Sequence, residues 1–186
     1  MRKGFTLIET VITVAISVMA LLALVNLFFI FNSIYGYQHA FIATAGSAGG
    51  AMNAFEAAIL PASRVLASHD FSGTTYASAS TTLVLELPAI DSAGDVLLGI
   101  NDHVAFYTSS TTLYRLVEVG AGSVRVPGLT QLSTTLYMLS LTYDPSDVTS
   151  AASITIDIQT TGQFKQQTIQ SQLREQLYLR NLQLTP

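Results

Sequence analysis

From Val11 to Phe31 the chain is apolar at every position except Thr13, Ser17 and Asn26. Coiled as a helix, that stretch rises roughly 31 Å, the thickness of the hydrocarbon core of a bilayer. Past Asn32 the apolar positions thin out to Ile34, Tyr37, Phe41 and Ile42, then Met52, Phe55 and Leu60. That spacing fits one face of a helix lying on a globular body. No proline occurs before Pro61, so the pattern predicts one long helix over 5–67, with its membrane half at about 8–31 and Pro61 late in it. Gly46, Gly49 and Gly50 weaken it, since each glycine costs about 1 kcal/mol relative to alanine in a helix. Their spacing suits a bend or a close backbone approach better than a dedicated helix-pairing face, with a flexible linker as the remaining reading.

After Phe71 the period changes from helical to alternating. Leu83, Leu85 and Leu87 alternate with Thr82, Val84 and Glu86, and Tyr137, Leu139, Leu141 and Tyr143 form a second such run. Ile154, Ile156 and Ile158 form a third, and all three read as half-buried antiparallel strands. Turn residues separate them at Asp91–Gly94, Gly120–Gly122 and Asp144–Asp147. Gln163–Asn181 fits either period, because Ile169, Leu173 and Leu177 also fall at helical spacing. The expectation is an α+β chain: a long N-terminal helix, its first half transmembrane, packed on an antiparallel sheet formed by 68–186.

Charge narrows this picture. Only 11% of the 186 residues are charged, and none lies between Thr10 and Phe55. Arg2 and Lys3 precede the apolar run and would keep that end in the cytoplasm, sending the C-terminal mass outward. Tyr35 and Tyr37 fall where an interfacial aromatic belt would sit, or equally at the end of an amphipathic helix. There is no cysteine, so disulfides, thiolate metal sites and thiol nucleophiles are excluded. The net charge of −4 disfavours nucleic acid as a partner.

A cleaved secretory signal shares the basic start, but its apolar core spans only about 7–15 residues before a small-residue site. Here the nearest such site, Ala43-Thr44-Ala45, lies well beyond Phe31. Glu9 is the unusual residue. An acid at the centre of a membrane helix costs about 2.5–3.5 kcal/mol on insertion scales, so at the edge of this one it calls for a partner.

The contiguous run Gly4-Phe5-Thr6-Leu7-Ile8-Glu9, behind a basic leader and ahead of a long apolar helix, resembles the processing and assembly motif of type IV pilins and pseudopilins. The resemblance implies a pilin-like fold and a leader, residues 1–4, removed by a prepilin peptidase between Gly4 and Phe5. It also implies N-methylation of Phe5 and retention of the helix. Gly4 lets an extended backbone enter a protease without steric conflict. The new Phe5 amine, cationic at neutral pH, would offset the Glu9 carboxylate of a neighbouring subunit, making Glu9 the assembly carboxylate.

The implied partners are other pilin or pseudopilin subunits, the peptidase, an inner-membrane assembly platform and the lipid bilayer. The implied location is the bacterial inner membrane as a single-pass precursor, then a periplasmic or cell-surface filament, as in a type IV pilus or type II secretion system. Asn26 stands where many shaft-forming pilins carry a proline. The runs 102–107, 113–115, 139–144 and 179–181 resemble the J-type pseudopilins and W-type minor pilins. A minor subunit that primes or tips a filament is therefore expected. The alternatives are a single-pass anchored binding or adhesion module that never polymerises, and a major shaft pilin.

No catalytic constellation and no cofactor motif emerges. His39, His69 and His103 are far apart and lack metal-ligand spacing, so no metal site is expected. Ser47 has no nucleophile-elbow context. Asp91 with Asp95, and Asp144 with Asp147, read as turn caps ahead of calcium ligands. Arg64, Arg115, Arg125, Lys165, Arg174 and Arg180 are dispersed, which argues against DNA capture unless folding gathers them.

Overall fold

The computed structural model of the chain describes residues 6–181. The predicted leader and Phe5 lie outside them. Helix α1 runs over Leu7–Ile59, 53 residues, and ten strands follow. The chain falls into two units divided after Ala40.

Among the described residues of the first unit α1 is the only element, and its side chains are exposed apart from three partly covered positions. It is long and apolar enough to cross a membrane. Two of its polar interruptions are satisfied locally: the Thr13 hydroxyl donates to the Glu9 carbonyl at 2.7 Å and Ser17 to the Thr13 carbonyl at 2.8 Å. Such i to i−4 bonds hide hydroxyls that hydrocarbon could not solvate.

In the second unit the rest of α1 lies on antiparallel sheet. Thr44, Ala48, Ala51, Met52, Phe55, Ala58 and Ile59 recur at intervals of one, three and four and are buried. Apolar burial thus begins at Ala48, whereas Ile34, Tyr37, Phe41 and Ile42, expected on the packed face, stay exposed. The helix also stops short of the expected 67. Pro61 has no N–H and disfavours helical backbone in the residue before it, so the chain turns at Leu60. The glycines bend nothing sharply enough to interrupt α1, and a Cβ at Gly46, Gly49 or Gly50 would meet nothing within 4 Å. Among the described residues they make no close approach to another element.

The strands are β1 (Arg64–Val65), β2 (Ser68–Phe71), β3 (Thr74–Ala77), β4 (Leu83–Ile90), β5 (Val96–Ser109), β6 (Thr112–Glu118), β7 (Gly128–Ser133), β8 (Leu136–Asp144), β9 (Ser153–Phe164) and β10 (Gln167–Tyr178). They form a five-stranded sheet β1-β4-β5-β6-β7, a three-stranded sheet β10-β9-β8 and a hairpin β2-β3. One core joins the helix to both large sheets through Leu83, Leu85, Val104, Phe106, Leu139, Leu141, Ile154, Ile156 and Ile158. Phe55 stacks on Phe106 at 4.2 Å. Polar bonds fix the helix at its entry to the core: Ser47 Oγ lies 2.8 Å from Ser133 Oγ, and the buried Thr160 hydroxyl donates to the Thr44 carbonyl at 2.9 Å.

Two strand readings change. β4 is buried on both faces, because Val84 and Ala105 form a second small core with Phe71 of the hairpin. In β8 a register shift between Leu136 and Met138 leaves Tyr137 as an extra residue, 65% exposed, with Leu136 inward in its place. Within Gln163–Asn181 the chain takes the strand alternative over β10, where Ile169 and Leu177 are buried and the strand pairs in register with β9, whose inner face carries Ile154, Ile156 and Ile158.

Candidate functional site

Among the described residues of the expected assembly motif, Thr6 and Glu9 meet. The Thr6 amide donates to Glu9 Oε2 at 3.0 Å, the Thr6 hydroxyl to the same oxygen at 3.1 Å, and the Glu9 amide faces the Thr6 hydroxyl at 3.4 Å. This reciprocal arrangement is a capping box: the threonine and the acid three residues on satisfy two amides that a helix start leaves without carbonyl partners. Thr-x-x-Glu ahead of an apolar run is a sequence signature of that device, so Glu9 is not an isolated carboxylate. Glu9 has a partner inside its own chain. Arg2, Lys3, Gly4 and Phe5 lie outside the described residues.

Of the four aspartates expected as turn caps, Asp91 and Asp147 cap through their side chains. Asp91 Oδ1 accepts from the amides of Ala93 at 2.8 Å and Asp95 at 3.0 Å. Asp147 caps the short 3-10 turn Val148–Ser150, and the Ser150 and Thr149 hydroxyls on its carboxylate hold its pKa below the ordinary aspartate value. Two dispersed cations are engaged by acids: Arg64 with Glu86 at 2.9 Å, and Arg125 with the fully buried Asp102. Asp102 also accepts from the Gly120 amide and the Ser123 hydroxyl, each at 2.7 Å. Gly120 is required there, because a Cβ would sit 2.4 Å from Ile100 and 2.7 Å from the Asn101 carbonyl oxygen.

The histidines depart from expectation. His39 stays on the helix, but His69 and His103 come together, and Glu118 joins them. Sheet register explains half of this. Glu86 pairs with His103 across β4 and β5, and His103 pairs with Glu118 across β5 and β6, so the three stand side by side on the face turned away from α1. Hairpin β2-β3 supplies the rest. Its two turn residues, Ser72 at φ 52° and Gly73 at φ 96°, both take left-handed backbone, and Asp70 Oδ1 accepts from the Gly73 amide at 2.6 Å. Phe71, in the second core, anchors the hairpin over that face.

The His69 ring stacks on His103 with centroids 3.7 Å apart and planes 13° apart, and His69 Nε2 lies 2.7 Å from Glu118 Oε2. His103 Nε2 lies 3.9 Å from Glu86 Oε2. Burial, and then the adjacent His69, push the His103 pKa below the ordinary histidine value, against the opposing pull of Glu86 and Glu118. Spacing along the chain could not reveal this cluster, which depends on register across three strands and on one folded-over hairpin. Comparison of the chain with protein-family models, curated proteins and solved structures finds no match.

Proposed function

We propose that this chain is a non-enzymatic structural subunit of the pilin and pseudopilin type, a minor one that primes or tips a filament. The observation that carries the proposal is the contiguous Gly4-Phe5-Thr6-Leu7-Ile8-Glu9 motif at the head of a single 53-residue helix. The two surfaces of that helix support it. The first is mainly apolar and exposed, and the second packs on antiparallel sheet. In this reading the peptidase cuts after Gly4, the Phe5 amine is methylated, and Glu9 sets the axial register of each incoming subunit. The helix remains continuous through Asn26, consistent with a minor place and not a shaft one.

The capping box favours a second reading, a membrane-anchored module that does not polymerise, because Thr6 already satisfies the Glu9 carboxylate within the chain. Glu9→Ala separates the two. The first reading expects filament incorporation to be lost while the protein still fractionates with membranes. Unchanged incorporation would count against Glu9 as the assembly carboxylate, whereas a parent chain that stays in membranes and enters no filament would support the anchor.

A further inference from the structure

We propose that His69, His103 and Glu118 form a binding site for a zinc-class divalent cation that clips hairpin β2-β3 onto the five-stranded sheet. The donor atoms of the three side chains all lie within 4.8 Å of one another. Two imidazoles and one carboxylate are a ligand set zinc takes readily, with nitrogen at about 2.0–2.1 Å and oxygen at about 2.0–2.2 Å. Around a tetrahedral ion such ligands sit roughly 3.3–3.5 Å apart. The 2.7 Å His69–Glu118 pair would therefore open slightly, the wider pairs would close by about an ångström, and the near-parallel rings would turn toward a common point. These are side-chain rotations on a fixed strand framework. All three side chains are part-exposed, which leaves the ion a path in and a fourth position for water.

The surrounding charges fit that assignment. Glu86 Oε2 is 2.9 Å from Arg64, which balances its charge, and it stands in the outer shell beside His103. Asp102 is likewise balanced by Arg125. Glu118 carries no cation partner among the described salt bridges except His69, so a dication would meet one available carboxylate and two imidazoles. Calcium and magnesium are disfavoured, since they need six or more oxygen ligands including water. Imidazole donors suit zinc, cobalt, nickel and copper. The clip would cross-link elements distant in sequence, in a chain that has no cysteine for a disulfide. It does not depend on the filament reading.

The full-length chain in detergent micelles, stripped of metal, would be titrated with Co²⁺ and followed by visible absorption. The expected result is one equivalent bound, with the intense d–d bands of a low-coordinate site, displaced by one equivalent of Zn²⁺ but not by excess Ca²⁺. His69→Ala, His103→Asn and Glu118→Gln should each weaken binding more than about tenfold, and His39→Ala should not. Zn²⁺ should raise the melting temperature of the parent and His39→Ala chains only. Far-UV circular dichroism identifies which metal-free variants keep the parent fold. His69→Ala lies on the hairpin and Glu118→Gln is nearly isosteric, so at least these two are expected to keep it. Absence of stoichiometric binding, or parent-like affinity in folded His69→Ala or Glu118→Gln, would overturn the proposal.

Discussion

One continuous helix carries two unlike surfaces. Before Ala40 it presents large side chains such as Leu24 and Phe28, each 66% exposed, whereas from Thr44 to Ile59 it buries mainly small ones around Met52 and Phe55. Small residues let a helix sit close to a sheet, and the few large ones fill the gaps of a core that the same chain completes. The first surface has no such complement among the described residues. An apolar surface of that length needs a medium outside the chain, either hydrocarbon or other helices. The difference therefore divides stability from association: the later turns hold the domain together, and the earlier turns address what surrounds it.

Truncation in the packed region should have the largest effect. Phe55→Ala removes a fully buried ring stacked on Phe106 and should cost the domain about 3–5 kcal/mol. Phe28→Ala should leave it within about 0.5 kcal/mol of the parent, both read by denaturant unfolding in micelles. A comparable loss from Phe28→Ala would erase the division. The complementary test places a charge in the first surface. Leu22→Lys should cost about 2.5–3.5 kcal/mol of membrane insertion, read by vesicle flotation, with the domain's unfolding midpoint unmoved.

A smaller effect is expected at the helix start. Thr6→Ala removes both Thr6 side-chain contacts with Glu9 and should cost about 1 kcal/mol locally, seen as faster amide exchange in the first turn, while Thr6→Ser retains protection. Unchanged exchange in Thr6→Ala would show that the cap contributes nothing. The smallest effect is confined to the domain at high pH. Burial raises the Tyr143 pKa to about 12, and its hydroxyl donates to the carbonyls of Ala79 at 2.9 Å and Thr82 at 3.1 Å. An unfolded tyrosine ionises near 10. The stability linked to this proton is thus complete below about pH 10 and is lost as pH rises toward 12. Tyr143→Phe should flatten that decline in part, since the Tyr107 pKa is also raised to about 12. A decline as steep as the parent's would count against a role for Tyr143.

Where structure rests on neighbours in sequence, it was legible. The membrane-length run, the long helix that carries it and the alternation of Ile154, Ile156 and Ile158 are all local patterns, and the folded elements follow them. Tyr137 was misplaced because a bulge shifts the phase of an alternating run without changing its composition. β4 looked half-buried because Val84 gains its cover from Phe71, on a hairpin whose docking no local period encodes. His69, His103 and Glu118 were hidden for the same reason: three separate elements supply them, and only register brings them within reach. Thr6 and Glu9 carry the capping-box spacing in the sequence itself, a local hydrogen-bond pattern that is independent of the charge on Glu9.

The proposed filament subunit requires that the first surface of the helix survive processing at Gly4. Mass spectrometry of the native N-terminus tests it most directly. The account predicts a mature chain that begins at N-methylated Phe5 and retains the whole apolar helix. An intact Met1, or a chain cut near Ala45 with the helix removed, would contradict it.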